Sequence, residues 1–476
     1  MKFSFINASP NETLSKREKC KSIASWPPLG LLYLATTLRE RGVEVSVLDQ
    51  PAKGYTVNET LGWIERENPD ILGFSAFATS GRMAVCICDQ VKRWNPDITT
   101  VFGNYYATFN ADRIIRKIPS VDVVVRGEGE YTVVDLVDHM EKGGDLGDIL
   151  GITFRNGDDA VSTPDRPLIE DLDSLPFPDR RLLDVEYHST IAGVNIAVKK
   201  FTSVISSRGC VYSCRFCSCH KFARGIWRPR SVENTMGEFH YLASEGFKQF
   251  IFVDDSLTLN PKRVIELCRR MRKEKIDMEW FCEGRVDSCS DEMLGEMVKA
   301  NCKIIFFGIE SANQRILDYY KKHITPQQSR RAVEKARKAG IDVIVGSFIV
   351  GAADETREEI WNTLEFAKEL PIDIPQINIL GIHAGMDIWD EMRSKGFLDE
   401  EENWDRPIEA SRVSPSAVPV EEIMKMIHEA YSEFMQRPGF ILRQMARTLS
   451  SRYRIGVVIN NLSRIGEIRD SIHNII

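Results

Sequence analysis

Thr202-Ser-Val-Ile-Ser206-Ser-Arg-Gly-Cys210-Val-Tyr-Ser-Cys214-Arg-Phe-Cys217 begins as a buried strand and ends as a polar loop carrying three thiols within eight residues. In a reducing compartment a cysteine cluster of this kind binds metal more often than it forms disulfides. Three closely spaced thiolates supply three of the four ligands that a [4Fe–4S] cubane takes, and leave one iron open. A tetrahedral zinc site, with Cys219 or His220 as fourth ligand, is the other reading of the same spacing. Other cysteines, such as Cys20, Cys268, Cys282 and Cys302, are scattered singly and make no disulfide framework.

Downstream of this loop the chain alternates strand-like runs with amphipathic helical patterns. The runs are 202–206, 249–253, 279–283, 303–308, 342–350 and 374–380, with helical spacing at 261–274, 291–300, 326–339 and 355–369. Such alternation builds a parallel sheet, and six units are too few to close an eight-fold barrel. The expectation is an open partial (βα)6 barrel over residues 196–385, with its chemistry on the loops that follow the strands.

Upstream, residues 1–143 alternate in the same way, with strand-like runs at 2–6, 44–48, 71–75, 100–102 and 121–125. This predicts a second α/β unit, a Rossmann-like doubly wound sheet that binds ligands at its strand ends. Three strand ends stand out: Ser75-Ala-Phe77, Gly103-Asn104 and Arg126-Gly-Glu-Gly-Glu130. Residues 144–195 break the rhythm with a hairpin turn at Asn156-Gly157 and the proline-rich Leu175-Pro-Phe-Pro-Asp179, and read as a connector. Residues 386–476 read as mostly helical; 420–436 places Ile423, Ile427, Ala430, Tyr431 and Phe434 on one face and stops at Pro438.

The net charge of −7 gives no global attraction to nucleic acid. No apolar run approaches the ~18 residues of a membrane span, and the start of the chain turns polar too soon for a signal peptide, so a cytoplasmic protein is expected. About seven arginines against two acids in 437–476 mark either a contact with an acidic partner or a solvated helix face.

The CxxxCxΦC spacing, with Phe216 at the aromatic position Φ, resembles the signature of radical S-adenosylmethionine (SAM) enzymes. Ser207-Arg-Gly-Cys210, Trp227-Arg-Pro-Arg-Ser231, Phe252-Val-Asp-Asp255, Gly308-Ile-Glu-Ser311 and residues 346–355 fall where that family has its motifs. Pro27-Pro-Leu-Gly-Leu-Leu-Tyr-Leu34 and Gly127-Glu-Gly-Glu130 resemble the subgroup with a preceding cobalamin-binding domain. That subgroup includes class B radical SAM methylases and the anaerobic magnesium-protoporphyrin ester cyclase.

The resemblance implies a cluster on Cys210, Cys214 and Cys217, with SAM chelating the open iron and Cys219 no ligand. It places Phe216 against adenine, Asp254 and Asp255 at the methionine amino group, Arg285 at its carboxylate and Glu310 at the ribose. For cobalamin it implies Ser75, Phe77, Thr79, Gly103, Tyr106, Gly127 and Glu128. The Asp-x-His-x-x-Gly motif is missing, so cobalamin is expected base-off with no histidine ligand; the alternative is a Rossmann-like scaffold without its cofactor. Gly351-Ala-Ala-Asp-Glu-Thr356 departs from the family's Gly-x-Pro-Gly-Glu-Thr and puts SAM contacts at that turn in doubt.

The expected activity is cobalamin-dependent radical SAM C-methylation of an unactivated carbon after hydrogen abstraction by a 5′-deoxyadenosyl radical. A carbon in a protein or peptide, such as the glutamine of methyl-coenzyme M reductase, is one expected substrate, and lipids such as hopanoids, tetrapyrroles and antibiotic precursors stay open beside it. The electron donor is read as a ferredoxin or flavodoxin. A non-methylating cyclase or rearrangement enzyme, and a cobalamin or Fe–S sensor, are the competing expectations.

Overall fold

The computed structural model describes residues 1–10, 26–191, 194–398 and 415–462. Cys20 and the arginines at 464 and 469 lie outside them. The first sheet contains Lys2–Asn7 (β1), Glu44–Asp49 (β2), Ile71–Ser75 (β3), Thr99–Gly103 (β4), Val123–Val125 (β5), Ile152–Asn156 (β6) and Asp159–Ser162 (β7), in the order β2-β1-β3-β4-β5-β6-β7. The first five are parallel, and the strand order reverses between β1 and β3, where a doubly wound sheet opens its ligand crevice. The hairpin at Gly157 does not belong to the connector. β6 pairs antiparallel with β5 and extends the first sheet, because Ile152 and Phe154 bury against the same core as Val123 and Val125.

After a short hairpin of Thr190–Ile191 (β8) and Val194–Asn195 (β9), Phe201–Val204 (β10) starts the second sheet. Ser207–Arg208 (β11) and Arg228–Pro229 (β12) bracket the cysteine loop as a two-stranded ribbon. The sheet continues through Gln249–Phe252 (β13), Glu279–Gly284 (β14), Cys302–Glu310 (β15), Val343–Val350 (β16) and Ile374–Ile379 (β17), in sequential order and all parallel. Sequential parallel pairing with the outer strands unpaired is the open barrel that the sequence implies.

Apolar residues on one face of each helix fill the space between helices and strands, for example Phe239, Leu267, Met293 and Val333 over Phe250, Trp280 and Ile344. Caps fix several of the starts: Thr325 and Thr356 each form a capping box, with Gln328 and Glu359. A buried ion network of Arg180, Glu238 and Arg230 ties residues 176–182 to the barrel wall. The helix Val420–Gln436 packs its apolar stripe on the helix Arg357–Glu369. Among the described residues no helix is long and apolar enough to cross a membrane.

Candidate functional site

The cysteine loop is held by the strand next to it. Asp254, at the end of β13, is buried and accepts from the Ser206 amide at 2.7 Å and from the hydroxyls of Ser206 at 2.7 Å and Ser207 at 2.6 Å. Asp255 accepts from the Gly209 amide at 2.7 Å. Gly209 has φ +87°, and a Cβ there would lie 2.1 Å from the Ile226 carbonyl oxygen, so only glycine fits where the chain turns into Cys210. Two adjacent carboxylates thus fix both the strand exit and the turn.

Cys210, Cys214 and Cys217 are free and partly exposed. Burial raises the thiols of Cys210 and Cys217, the latter to about 11, so metal must displace their protons. Among the described residues no three His, Cys, Asp or Glu side chains converge as a single-ion site requires; a cubane makes no such demand, since each thiolate binds its own iron. Phe216 packs edge-on against buried Tyr320, with ring centroids 5.0 Å apart. Cys219 opens the short helix Cys219–Phe222, and its thiol lies beside Asp255 and Tyr105, with burial raising it strongly.

Three barrel residues read as SAM contacts are already engaged. Asp254 is buried and accepts three hydrogen bonds from Ser206 and Ser207. Arg285 grips Asp287 through two nitrogens at 3.0 and 2.9 Å, donates to the Lys322 carbonyl, and lies 3.5 Å over the Tyr212 ring. Glu310, in the left-handed region at φ +66°, pairs with buried Lys322 at 2.6 Å. Lys322 had no sequence signal; it lies 5.7 Å over Phe216 and feels the charges of Glu310 and Cys214. Glu355 accepts from the Gly351 and Ala352 amides at 2.6 and 2.9 Å, so the altered turn is closed by its own glutamate.

A cavity of about 480 Å³ lies between the two sheets. Ser75, Phe77, Gly103, Asn104 and Gly127 line it from the first domain, and Arg208, Gly209, Phe222 and Asp255 from the second. Asn104, at φ +85°, donates to the Ser75 hydroxyl at 2.9 Å and ties the two strand ends together. Thr79 is exposed away from the cavity, and Tyr106 is buried in the opposite core with its ring against Gly81. The left-handed step at Asn104 turns Tyr105 inward instead, where it stacks on Phe222 at 4.0 Å.

The cavity continues down the face of the first sheet into an apolar slot between Phe3, Phe5, Leu31, Val101 and Val133. A Cβ on Gly73 would meet the Phe3 ring at 2.7 Å, so glycine keeps the slot's aromatic wall in place. Slot and chamber together form a large, mostly apolar site with a few polar groups at its mouth, the usual lining of a cofactor pocket.

Glu128 lines the cavity, but its carboxylate joins the domains. It pairs with Arg208 at 3.1 Å and with Arg228 at 2.8 and 3.0 Å, and it accepts from the Ile169 amide at 2.8 Å. Arg208 also holds Glu130 at 2.6 Å and covers the Tyr33 ring. Burial opposes ionisation of Glu128, but the Arg228 hydrogen bond and the charges of Arg208 and Arg228 outweigh it and hold its carboxyl below the usual range.

Comparison with known proteins agrees with both halves of this geometry. The Radical SAM superfamily profile matches residues 204–367 and the B12 binding domain profile matches residues 21–137. The chain is 36% identical over 440 residues to an uncharacterized methyltransferase, PH0819, of Pyrococcus horikoshii, covering 90% of this chain and 94% of that one. It is 30% identical over 430 residues to the anaerobic magnesium-protoporphyrin IX monomethyl ester cyclase of Rubrivivax gelatinosus, covering 88% and 75%. Among solved structures, the radical SAM methyltransferase TsrM of Kitasatospora setae, with cobalamin and a [4Fe–4S] cluster bound, shares the fold at a TM-score of 0.65 and 17% identity, covering 83% of this chain and 78% of that one. The chain belongs to the radical SAM superfamily, in the group whose members carry a cobalamin-binding domain ahead of the barrel.

Proposed function

We propose that this protein is a cobalamin-dependent radical SAM C-methyltransferase that acts on an unactivated carbon. One observation carries the reading: the cavity at the strand ends of the first domain opens onto Gly209 and Asp255, beside the cysteine loop. Two cofactors held there share one chamber. When bound, the cluster with SAM supplies a 5′-deoxyadenosyl radical and the corrinoid supplies the methyl group.

The protein's residues hold, orient and exclude. Cys210, Cys214 and Cys217 take three irons, and Cys219 stays off the cluster so that the fourth corner remains free. Phe216, fixed by Tyr320, offers adenine an apolar wall, and the Glu310–Lys322 pair presents a carboxylate and an ammonium to the ribose and methionine groups of SAM. Ser75, Gly103 and Gly127 would let the corrinoid approach the backbone, and the slot between Phe3 and Val133 would hold its tail. Tyr105, Phe77 and Asn104 would line the same chamber beside it. The apolar lining keeps water from the radical.

The test is anaerobic turnover with methyl-deuterated SAM, a reducing ferredoxin or flavodoxin, and extracts split into protein, lipid and tetrapyrrole fractions. The expected outcome is 5′-deoxyadenosine together with a deuteromethylated product; a labelled peptide would identify a protein substrate. Release of 5′-deoxyadenosine without label transfer, with cobalamin bound, overturns methylation and favours the cyclase-type reading that the Rubrivivax relative supports. No cleavage of SAM by the loaded protein favours a sensor.

A further inference from the structure

The last two described helices, Pro438–Ser450 and Arg452–Asn461, bury Phe440 and Tyr453 but also turn Arg447, Arg454 and Asn461 toward the barrel and leave most of their aliphatic side chains outside. Arg447 donates to the carbonyls of Ile341 and Asp342 at 2.9 and 2.8 Å, Arg454 pairs with Asp373 at 2.5 Å, and Asn461 donates to the Asn195 carbonyl at 2.8 Å. These contacts bolt both helices to the end of the barrel where β16 and β17 begin, opposite the cysteine loop. The outer faces carry Leu442, Met445, Leu449, Val458, Ile459 and Leu462, with Leu449 79% and Leu442 67% exposed. A soluble helix does the reverse, and a contiguous exposed apolar surface marks an interaction site.

We propose that this face docks on an anionic lipid bilayer as a peripheral, non-spanning anchor. Charge selects the occupant. Residues 437–462 contain five arginines and no aspartate or glutamate, and Arg443 and Arg452 are exposed beside the apolar side chains. A second copy would set these cations against their equivalents with no carboxylate to receive them, whereas acidic headgroups neutralise them while the apolar tips enter the acyl boundary. The side chains project from two helices, and insertion into lipid needs no complementary shape. An acidic electron-donor protein is a poor fit, because the cysteine loop lies at the other end of the barrel. The docked enzyme holds its cofactor cavity away from the bilayer.

The experiment is flotation of the anaerobically purified full chain with phosphatidylcholine vesicles, with and without phosphatidylglycerol. Binding is expected to the anionic vesicles, weakening as salt is raised. Arg443→Ser with Arg452→Ser should weaken it about thirtyfold, roughly fivefold for each arginine. Combining Leu442→Glu, Leu449→Glu and Ile459→Glu should abolish it while iron and cobalamin content stay unchanged. The arginine pair, being exposed, keeps the test valid should the triple variant misfold. Absence of flotation with both vesicle types overturns the proposal, as does a dimer in light scattering that the triple variant splits without any vesicle binding. Capture of an acidic protein in place of lipid overturns it equally.

Discussion

Replacing Glu128 by alanine removes the only carboxylate shared by Arg208 and Arg228 among the described residues. The side chains of Glu128, Arg208 and Arg228 are 7%, 14% and 8% exposed, so the two guanidinium groups cannot recover their hydration when the anion goes. Breaking a buried pair by deleting one partner costs ~3–5 kcal/mol. Arg208 keeps Glu130, which argues for the lower end, about 3 kcal/mol, and the lost Ile169 amide acceptor adds about 1 kcal/mol. The interface between the domains should therefore open roughly 10²–10³-fold more often, at ~1.4 kcal/mol per factor of ten. Hydrogen exchange on peptides spanning residues 127–130, 167–171 and 207–209 reads this directly, with peptides of the helix Pro261–Lys273 as an unaffected reference. Glu128→Gln should recover part of the loss, because its amide oxygen can still accept. A change below about 1 kcal/mol at those peptides, or equal loss throughout the chain, would refute the clamp.

Three further outcomes are expected. Asp254→Asn leaves one acceptor for three donors and turns an N–H2 toward serine hydroxyls, at ~2–3 kcal/mol; iron per chain should fall while cobalamin binding persists, as absorbance and metal analysis would report. Cys219→Ala should keep the iron content and cluster spectrum of the wild type, and loss of the cluster would make it a ligand. Glu355 is buried and its carboxyl is pushed up to about 7, mainly by burial against the two amide hydrogen bonds. Its folded value exceeds the ordinary 4.5, so its stabilising contribution is intact below about pH 4.5 and is lost as pH rises through about 7, roughly 3 kcal/mol in all. Glu355→Gln keeps an acceptor for Gly351 and Ala352 and should flatten the decline in thermal stability between about pH 5 and pH 8; an unchanged slope would contradict the assignment.

Both sheets were legible because parallel strands buried on two faces read as short apolar runs between periodic helices. The edge hairpin was misplaced because β6 and β7 carry no such run, and their membership depends on pairing with β5. The three thiols and the glycine before them were readable, since spacing and a positive φ are local properties. Side-chain direction at strand ends was not. A single left-handed residue, Asn104, exchanges Tyr106 for Tyr105 in the cavity. Likewise Asp254 and Asp255 differ by one position, yet the first is consumed by serines of the neighbouring strand and the second faces the chamber. Arg208 takes its role from Glu128, eighty residues earlier in the chain, and although both stand in quoted motifs neither motif announces the pairing; Lys322 stands in no motif.

On the proposed reading one chain holds both an open-cornered iron–sulfur cluster and a corrinoid. Metal analysis of anaerobically reconstituted protein tests it most directly, with wild type compared to a Cys210→Ala, Cys214→Ala, Cys217→Ala variant. About four irons and about one cobalamin per wild-type chain are expected, with a variant that loses the iron and keeps the cobalt. Zinc in place of iron, or a wild-type chain that takes up no cobalamin, would contradict it.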